Sequence, residues 1–361
     1  MTLAARIERA WWRPSAGVIA WLLVPVAVLF GALSALRRLL YRQGWLARVR
    51  VPVPVIVVGN IAVGGAGKTP LTRALIRALC EHGFHPGVVS RGYGRRGRAP
   101  REVTEASAWR DTGDEPLVLA REGVPVWVGA RRAEAATALI AAHREVDVIL
   151  SDDGLQHYAL ERDFEIAVVD AARGVGNGRL LPAGPLREPI ARLATVDAIV
   201  LRRRTPADAR GDRIHAREVP RYSMHYEAQA WRNLVDGGAR FDPASLAGQE
   251  VVVVSGIAHP ESYFALVRGL GIFTRVQVRV QAFSDHHAYR REELAFPGAR
   301  AILMTEKDAV KCREFGDARM WFLPICAVVD PTLVDAIVEK LRGFEAPRDA
   351  GLPGDQGSAD S

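Results

Sequence analysis

Short apolar segments alternate with amphipathic segments along this chain from about residue 50 onward. The apolar segments are rich in β-branched residues and predict strands, whereas apolar residues recurring every three or four positions predict helices. The predicted strands of the first part are Val55 to Val58, Pro86 to Ser90, Val124 to Val128, Val146 to Leu150, Glu165 to Val169 and Ala198 to Leu201. This alternation predicts an α/β fold in which helices cover a sheet.

The alternation of predicted strands and helices is interrupted once, which predicts two domains. Residues 46–216 form the first predicted α/β/α domain, and the polar, aromatic segment 217–245 is interpreted as a linker. A smaller α/β/α domain is predicted over 246–344, with strands at Val251 to Val254 and Ala301 to Met304 and a last helix at Pro331 to Arg342. Residues 345–361 are rich in Gly, Pro, Asp and Ser, and are predicted to be disordered.

A long apolar run precedes both domains. Pro14 to Leu36 contains 23 residues without a charge. A helix of that length would extend about 34 Å at about 1.5 Å per residue, which is enough to cross a bilayer. We therefore predict that residues 1–45 form a membrane-associated helix. Pro25 interrupts the run, so the pattern leaves open whether the helix spans the membrane or lies along its surface.

Two other interpretations of this run are weaker. A cleaved signal peptide would export a nucleotide-binding domain to a compartment without ATP, and a buried core helix rarely runs this long without a charge. Five arginines follow the run within 15 residues and three precede it. Because positive charge accumulates on the cytoplasmic side, this bias places the main body of the protein in the cytoplasm.

Composition and charge exclude few classes of protein or partner. Hydrophobic residues make up 49% and charged residues 25%, which is typical of globular proteins and excludes a disordered chain. A net charge of +7 suits an anionic partner without distinguishing nucleic acid, anionic lipid or a phosphorylated substrate. Cys80, Cys312 and Cys326 are too scattered for a metal cluster and fit a reducing compartment.

The segment VIVVGNIAVGGAGKTPLTRAL, Val55 to Leu75, joins a predicted strand to a predicted helix through a glycine-rich loop. It departs from the phosphate-loop pattern G-x-x-x-x-G-K-[ST] by having Ala62 in place of the first glycine. The remaining loop, Gly64, Gly65, Ala66, Gly67, Lys68 and Thr69, still allows backbone N–H groups to surround a phosphate. Lys68 would contact the β- and γ-phosphates of ATP and Thr69 would bind Mg²⁺. The alternative is a glycine-rich turn that binds nothing.

A second acidic motif follows another predicted strand. VDVILSDDGLQH, Val146 to His157, ends an apolar run with Asp152 and Asp153, where phosphoryl-transferring proteins place a carboxylate that orients Mg²⁺. A solvated acidic turn is the alternative. Three further clusters stand out: SRGYGRRGR from Ser90, DTGDEP from Asp111, and SDHHAY from Ser284. The first could clamp a phosphate, contact anionic lipid or remain solvated, and the other two could be structural.

Taken in order, these motifs and two more resemble one family. VGN with GGAGKTP, SRGYGR, GDEP, SDDGLQH, PAGPLREP from Pro182, SDHHAY and TEKDAVK from Thr305 are together similar to the tetraacyldisaccharide 4′-kinase family of lipid A biosynthesis. The resemblance implies an inner-membrane enzyme facing the cytoplasm, with a P-loop kinase-like α/β/α domain. It also implies transfer of the ATP γ-phosphate to the 4′-hydroxyl of a tetraacylated glucosamine disaccharide 1-phosphate, giving lipid IVA.

The same resemblance assigns roles to particular residues. It implies that Asp114 acts near the accepting hydroxyl with His286 as its partner, although His287 stays an alternative. Lys68 and Arg187 would contact the transferring phosphate. The expected Mg²⁺ ligands are Thr69, Asp152, Asp153 and Glu115. The residues expected near the lipid headgroup are Tyr93, Arg132 and Gln156. The lipid disaccharide and the membrane are the expected partners, with neither nucleic acid nor an obligate protein partner.

Three other functions share some of these features. A membrane-associated P-loop NTPase switch would have the same loop and acidic motif, but the guanine-reading pattern N/T-K-x-D is matched poorly by Thr305 to Asp308, where the lysine comes one position late. A nucleic-acid-dependent ATPase would explain the positive charge but not the apolar run. A soluble small-molecule kinase is also disfavoured by that run.

Overall fold

The structure of the chain is a computed structural model, which describes residues 3–12, 17–205, 207–214, 218–239, 241, 243–271 and 276–344. The predicted disordered tail, 345–361, therefore lies outside the described residues.

The described helices and strands follow the predicted alternation. The helices are α1 (Leu3–Trp11), α2 (Val18–Leu22), α3 (Val24–Arg42), α4 (Lys68–Glu81), α5 (Trp109–Thr112), α6 (Asp114–Ala120), α7 (Arg132–Ala142), α8 (Pro260–Gly269), α9 (Glu306–Cys312) and α10 (Pro331–Arg342). The strands are β1 (Val55–Gly59), β2 (Pro86–Ser90), β3 (Arg101–Val103), β4 (Val126–Val128), β5 (Val148–Asp152), β6 (Phe164–Asp170), β7 (Ala198–Arg202), β8 (Arg221–Ala228), β9 (Arg232–Asn233), β10 (Glu250–Ser255), β11 (Gln277–Ala282), β12 (Ala301–Thr305), β13 (Met320–Leu323) and β14 (Ile325–Val329).

The larger sheet has nine strands within the described residues, in the order β14-β8-β7-β6-β1-β5-β2-β4-β3. All neighbours are parallel except β3 against β4 and β14 against β8. Apolar residues of α4, α6 and α10 pack on one face and those of α7 on the other, so β1, β2 and β5 to β7 are buried throughout. Burial on both faces explains their continuous apolar sequences. The P-loop kinase-like α/β/α fold predicted for this part is confirmed.

The smaller sheet has the order β11-β10-β12-β13-β9 and is parallel except for β9. Helix α8 packs on one of its faces and α9 on the other, which gives the second, smaller α/β/α unit. The chain enters this unit after β8 and leaves it before β14.

The predicted domain boundaries differ from this topology in two places. The predicted linker, 217–245, contains β8, which joins the larger sheet, and β9, which joins the smaller one. Within the predicted C-terminal domain, 246–344, β14 returns to pair with β8, and α10 packs beside α4. Apolar periodicity identifies a strand but not its partner, so the sequence did not indicate these returns.

The N-terminal apolar run forms two helices rather than the single helix predicted. Helix α2 ends at Leu22 and α3 begins at Val24, with Pro25 in its first turn. Proline lacks an N–H and fits only the first turn of a helix, which explains the break. Helix α3 is long and apolar enough to cross a membrane, and only Ala27 among its residues is buried. Residues 13–16, including the predicted start of the run, lie outside the described residues.

The N-terminal helices contact one loop of the larger unit. The indole Nε1 of Trp11 donates to the carbonyl of Pro182 at 2.9 Å, and the Arg179 guanidinium lies 4.1 Å from the Trp21 ring centroid. Arg38 of α3 lies 3.8 Å from the carboxylate of Glu188. The apolar helices are thereby attached to the loop that carries the PLREP sequence.

Candidate active site

The glycine-rich loop connects the buried strand β1 to the N-terminus of α4, as the sequence predicts. Gly64 and Gly67 have φ of 99° and 103°, which is the left-handed region that favours glycine. A Cβ on Gly67 would approach the hydroxyl of Tyr226 to 2.3 Å, so this glycine also permits close packing. Lys68 and Thr69 open the helix. The loop thus presents a helix N-terminus to the cavity between the two units, where backbone N–H groups bind anions.

Asp152 and Asp153 lie at the carboxyl end of β5, next to this loop. The Thr69 hydroxyl donates to Asp152 Oδ2 at 3.3 Å, and the Thr72 hydroxyl donates to Asp152 Oδ1 at 3.1 Å. Burial, together with Glu115 and Asp153, raises the pKa of Asp152 to about 7. Burial opposes the charge of Asp153, but Lys68 and Arg187 outweigh it and lower its pKa below the usual range.

Arg187 reaches this site from the PLREP segment. Its guanidinium lies 3.2 Å from both carboxylate oxygens of Asp153, and Lys68 Nζ lies 3.5 Å from Oδ1 of the same carboxylate. The Arg187 N–H donates to the carbonyl of Ile61 at 2.7 Å, and Leu186 pairs with Ala62 in an isolated β-bridge. Ala62, the residue that departs from the phosphate-loop pattern, therefore lies at the entrance of the loop. Its β-bridge with Leu186 connects the loop to the segment that carries Arg187.

Asp114 and His286 meet between the two units. His286 Nδ1 lies 2.9 Å from Asp114 Oδ2, although 172 positions separate them in the chain. Burial lowers the pKa of His286, but the Asp114 carboxylate outweighs it and raises the pKa above its usual value. Burial raises the pKa of Asp114, but the His286 hydrogen bond and nearby lysines lower it overall. His287 instead contacts Glu293 at 3.1 Å, so His286 is the histidine that pairs with Asp114.

Two lysines of α9 surround this pair. Lys307 Nζ lies 3.2 Å from His286 Nε2 and 3.1 Å from Glu115 Oε1. Lys311 is fully buried, with Nζ 3.0 Å from Asp308 Oδ1 and 3.8 Å from Asp114 Oδ2. Both belong to TEKDAVK, one of the motifs that carry the family resemblance, and no role was predicted for its lysines.

Removing the buried charge of Lys311 is expected to destabilise the protein. Lys311→Met leaves the fully buried Asp308 carboxylate without its cation, and breaking a buried ion pair in this way costs about 3–5 kcal/mol. Urea unfolding would measure the loss. Lys340→Met, at an exposed position on α10, is the matched control and should change stability by less than about 0.5 kcal/mol. Equal stability of the two variants would contradict the prediction.

The three residues expected near the lipid headgroup differ in accessibility. Tyr93 is 64% exposed, and its ring centroid lies 4.8 Å from that of His286. Gln156 Nε2 donates to the Glu188 carboxylate at 2.9 Å. Arg132 is buried, and its guanidinium donates to the carbonyl oxygens of Asp152 and Asp153 at 2.8 Å each. Arg132 therefore supports the end of β5 as well as lining the cavity.

Lys68, Thr69, Asp153, Arg187 and His286 line one cavity of about 1140 Å³ between the larger and smaller units. The buried Asp114 and Asp152 contact two of these lining residues, His286 and Thr69. The cavity runs from the phosphate loop to His286 and is bounded on one side by Phe30, Ser34 and Arg37 of α3. Among the residues the structure describes, no three His, Cys, Asp or Glu side chains cluster in a way that could hold a metal by themselves. A nucleotide-bound Mg²⁺ takes most of its ligands from phosphate and water, so one or two protein oxygens are enough.

Sequence reasoning missed some residues of this site. Besides the two lysines of α9, it missed Glu188, which is buried and accepts hydrogen bonds from Gln156 and Tyr158. Its position directly after Arg187 in PLREP was the available signal. A charged residue buried in a loop is recognisable only when its partners are known.

The phosphate loop, the adjoining acidic residues and the central parallel sheet define a P-loop phosphotransferase fold with its site between two units. The model of the tetraacyldisaccharide-1-P 4′-kinase family matches residues 19–342. The chain belongs to this family.

Individual relatives agree with this classification. The chain is 46% identical over 344 residues to a tetraacyldisaccharide 4′-kinase from Dechloromonas aromatica, with 94% of this chain and 98% of that protein covered. It is 49% identical over 312 residues to one from Halorhodospira halophila, covering 86% and 89%. A crystal structure of LpxK from Aquifex aeolicus in complex with ATP superposes with a TM-score of 0.73, at 27% identity, over 90% of this chain and 100% of that one.

Proposed function

We propose that this chain transfers the γ-phosphate of ATP to the 4′-hydroxyl of a tetraacylated glucosamine disaccharide 1-phosphate, at the cytoplasmic face of the inner membrane. The observation that carries the proposal is a single cavity lined by the phosphate loop and by His286, whose ring contacts Asp114, with residues of the apolar helix α3 at its edge. Phosphoryl transfer to an alcohol needs a charge clamp and a proton acceptor in one site.

The cations of the first unit provide the clamp. Lys68 and Arg187 both lie on Asp153, so the carboxylate holds the two cations side by side at the mouth of the phosphate loop. Backbone N–H groups of the loop bind the β- and γ-phosphates, and the two cations offset the charge on the transferring group. The clamp would hold the γ-phosphate in the cavity that His286 also lines.

Asp114 accepts the proton of the attacking hydroxyl. The carboxylate is ionised because its pKa is held below the usual range, so an oxygen is available to accept a proton. His286 holds the carboxylate in place through the hydrogen bond from its ring. A carboxylate is a weak base, and a hydrogen-bonded imidazole strengthens its role by fixing its direction toward the hydroxyl.

The residues around the loop also fit Mg²⁺. Thr69 and Asp152 supply a hydroxyl and a carboxylate oxygen 3.3 Å apart, and Mg²⁺ prefers such hard oxygen ligands. The pKa of Asp152 is raised by burial and by the neighbouring carboxylates of Glu115 and Asp153, and a bound cation would offset this negative charge. When bound with the nucleotide, Mg²⁺ would neutralise charge that develops on the phosphates. Glu115, also expected as a ligand, lines the same cavity, and its carboxylate lies 3.1 Å from Lys307 Nζ.

The most direct test combines purified protein, γ-labelled ATP and the tetraacylated disaccharide 1-phosphate. Label is expected in the lipid fraction, at the 4′ position, and only when Mg²⁺ is present. Hydrolysis of ATP without labelled lipid would overturn the proposed acceptor. Label in lipid without added divalent cation, after treatment with a chelator, would overturn the metal requirement alone.

We also propose that α3 attaches the enzyme to the membrane that contains its lipid substrate. Apolar side chains of α3 face outward, among them Leu29, Leu33 and Leu36 at 60%, 58% and 51% exposure. An exposed apolar surface of this kind is typical of a membrane contact. Arg37 and Ser34 of the same helix line the cavity, so the helix would place the membrane surface beside the active site.

Charging this surface is expected to release the enzyme from membranes. The triple variant Leu29→Glu/Leu33→Glu/Leu36→Glu should remain in the supernatant when wild type sediments with anionic phospholipid vesicles, because three buried carboxylates oppose insertion. Val235→Glu, at a position 63% exposed and outside the N-terminal helices, is the control and should sediment like wild type. Equal sedimentation of the triple variant in 0.5 M salt, where basic surfaces contribute little, would contradict the prediction.

A membrane-associated NTPase switch remains the second candidate, because it would share the phosphate loop and the apolar helix. It gives no role to the Asp114–His286 pair. The lysine of the poor guanine-reading match, Lys307, contacts His286 and Glu115. The labelling experiment distinguishes the two functions, since a switch transfers phosphate only to water.

A further inference from the structure

Lys307 has no role in the chemistry described so far, yet it contacts the catalytic pair directly. It is the second residue of α9, and its side chain is 19% exposed at the wall of the cavity. Nζ lies 3.2 Å from His286 Nε2, 3.1 Å from Glu115 Oε1 and 3.4 Å from Asp285 Oδ1. An ammonium group has three N–H donors, and these three neighbours match them in number.

The contact with Lys307 favours one protonation state of His286. An ammonium group can only donate, so the contact favours the neutral ring in which Nε2 accepts and carries no proton, whereas the Asp114 carboxylate raises the pKa of His286 and favours the doubly protonated ring. The proton of a neutral imidazole then lies on Nδ1, which is the nitrogen 2.9 Å from Asp114 Oδ2. The ring consequently donates to the carboxylate, and the oxygen of Asp114 that accepts the substrate proton is held in place.

The helix that carries Lys307 is itself fixed against the first unit. Glu306, the preceding residue, accepts from Arg73 of α4 at 2.5 Å and from Arg121 at 2.8 Å. Glu306 and Arg73 are both buried, so the ion pair between them connects α4, the helix that follows the phosphate loop, to α9 away from solvent. Lys307 is thus held at a defined distance from residues of both units.

We propose that Lys307 is a positioning residue for His286: by donating to Nε2 it keeps the imidazole in the tautomer that donates to Asp114. This inference rests on the proposed function for its effect on turnover, but the tautomer itself is independent of any substrate. Glu115 and Asp285 hold the ammonium group in turn, which gives these two acids a role in the site.

The other role open to a lysine in this cavity is direct binding of phosphate. The two roles differ in what the enzyme loses when the ammonium group is removed. A positioning residue supports proton transfer, so its loss lowers kcat and leaves the KM for ATP nearly unchanged. A phosphate-binding residue contributes to nucleotide affinity, so its loss raises that KM.

The kinetic test compares Lys307→Met with the exposed control Lys340→Met. We expect Lys307→Met to lower kcat by about 10- to 100-fold, the range typical of residues that orient a reacting group, with the KM for ATP within about twofold of wild type. Lys340→Met should match wild type. Wild-type kcat in Lys307→Met, or a KM for ATP raised in proportion to the loss of activity, would overturn the proposal.

A spectroscopic test reads the tautomer without catalysis. In protein labelled with ¹⁵N-histidine, the nine histidines give separate ring nitrogen signals, and His286→Gln identifies the signal of interest. Wild type should show a protonated Nδ1 and an unprotonated Nε2 at His286, and Lys307→Met should shift this population toward protonated Nε2. An unchanged ratio in Lys307→Met would overturn the proposal even if activity falls.

Chemical rescue separates positioning from a general structural defect. Lys307→Ala leaves a space that opens to the cavity, so added ethylammonium should restore part of kcat in a saturable manner and restore the wild-type tautomer of His286. Lys340→Met serves as the control, because this exposed side chain lies on α10 outside the site and the added amine should leave its rate unchanged. Absence of rescue in folded Lys307→Ala would count against the proposal. If wild type transfers no phosphate to lipid, the proposed function fails while the tautomer measurement still tests Lys307.

Discussion

Asp114→Asn is expected to lower turnover by about 10²- to 10⁴-fold, the range of general-base catalysis, with little change in the KM for ATP. The amide cannot accept the proton of the attacking hydroxyl, although it occupies the same volume. Asp114 is 3% exposed and its carboxylate contacts His286, while Lys68 and Thr69 of the phosphate loop contact Asp153 and Asp152, so the nucleotide site should remain intact. Steady-state kinetics with varied ATP and varied lipid would measure both effects.

The partner of Asp114 should show a related loss that does not add to the first. His286→Ala is expected to lower turnover, and the double variant should be little worse than the poorer single variant, because the two residues act as one unit. His287→Ala is the matched control, since its ring contacts Glu293 rather than Asp114, and should retain the wild-type rate. Fully multiplicative losses, or a crippled His287→Ala enzyme, would contradict the pairing.

Lys68→Ala is expected to reduce phosphate transfer by at least about 10²- to 10³-fold, which is the loss typical of removing one preorganised charge from a transition state. Within the described residues, Lys68 Nζ forms an ion pair with Asp153. Arg187 would still contact the Asp153 carboxylate in the variant. The fold should therefore persist, which thermal unfolding would check.

Ala62→Gly provides the control for this loop. Ala62 pairs with Leu186 at the loop entrance and lies two residues before Gly64, the first loop glycine with positive φ. The substitution restores the usual spelling of the motif but should change ATP affinity by less than about tenfold, equivalent to 1.4 kcal/mol. A larger gain in affinity would show that position 62 contributes to the phosphate site after all.

Local sequence patterns were sufficient to predict the buried strands and the phosphate loop. Buried parallel strands are continuous apolar runs, so β1, β2, β5, β6 and β7 were predictable within a few residues. The phosphate loop was predictable because a glycine-rich sequence between a strand and a helix has few other structures. Pro25 indicated the break between α2 and α3, but the run was still predicted to form a single helix.

Sheet membership was less predictable. β8 lay in the predicted linker because its alternating burial leaves few apolar residues in sequence, and β14 was not separated from the smaller unit. Their pairing with each other depends on contacts about 100 residues apart, and such contacts leave no periodic pattern in either segment.

The sequence by itself determined the family, the α/β class, the phosphate loop, the apolar N-terminus and the residue types available for phosphate transfer, because each depends on short-range patterns or on motif order. Only the tertiary structure decided that His286 rather than His287 contacts Asp114, that Lys307 and Lys311 surround this pair, and that Arg187 lies against Asp153. These contacts join segments distant in the chain. Their geometry follows from how α9 and the PLREP segment pack against the larger sheet, which local sequence patterns do not specify.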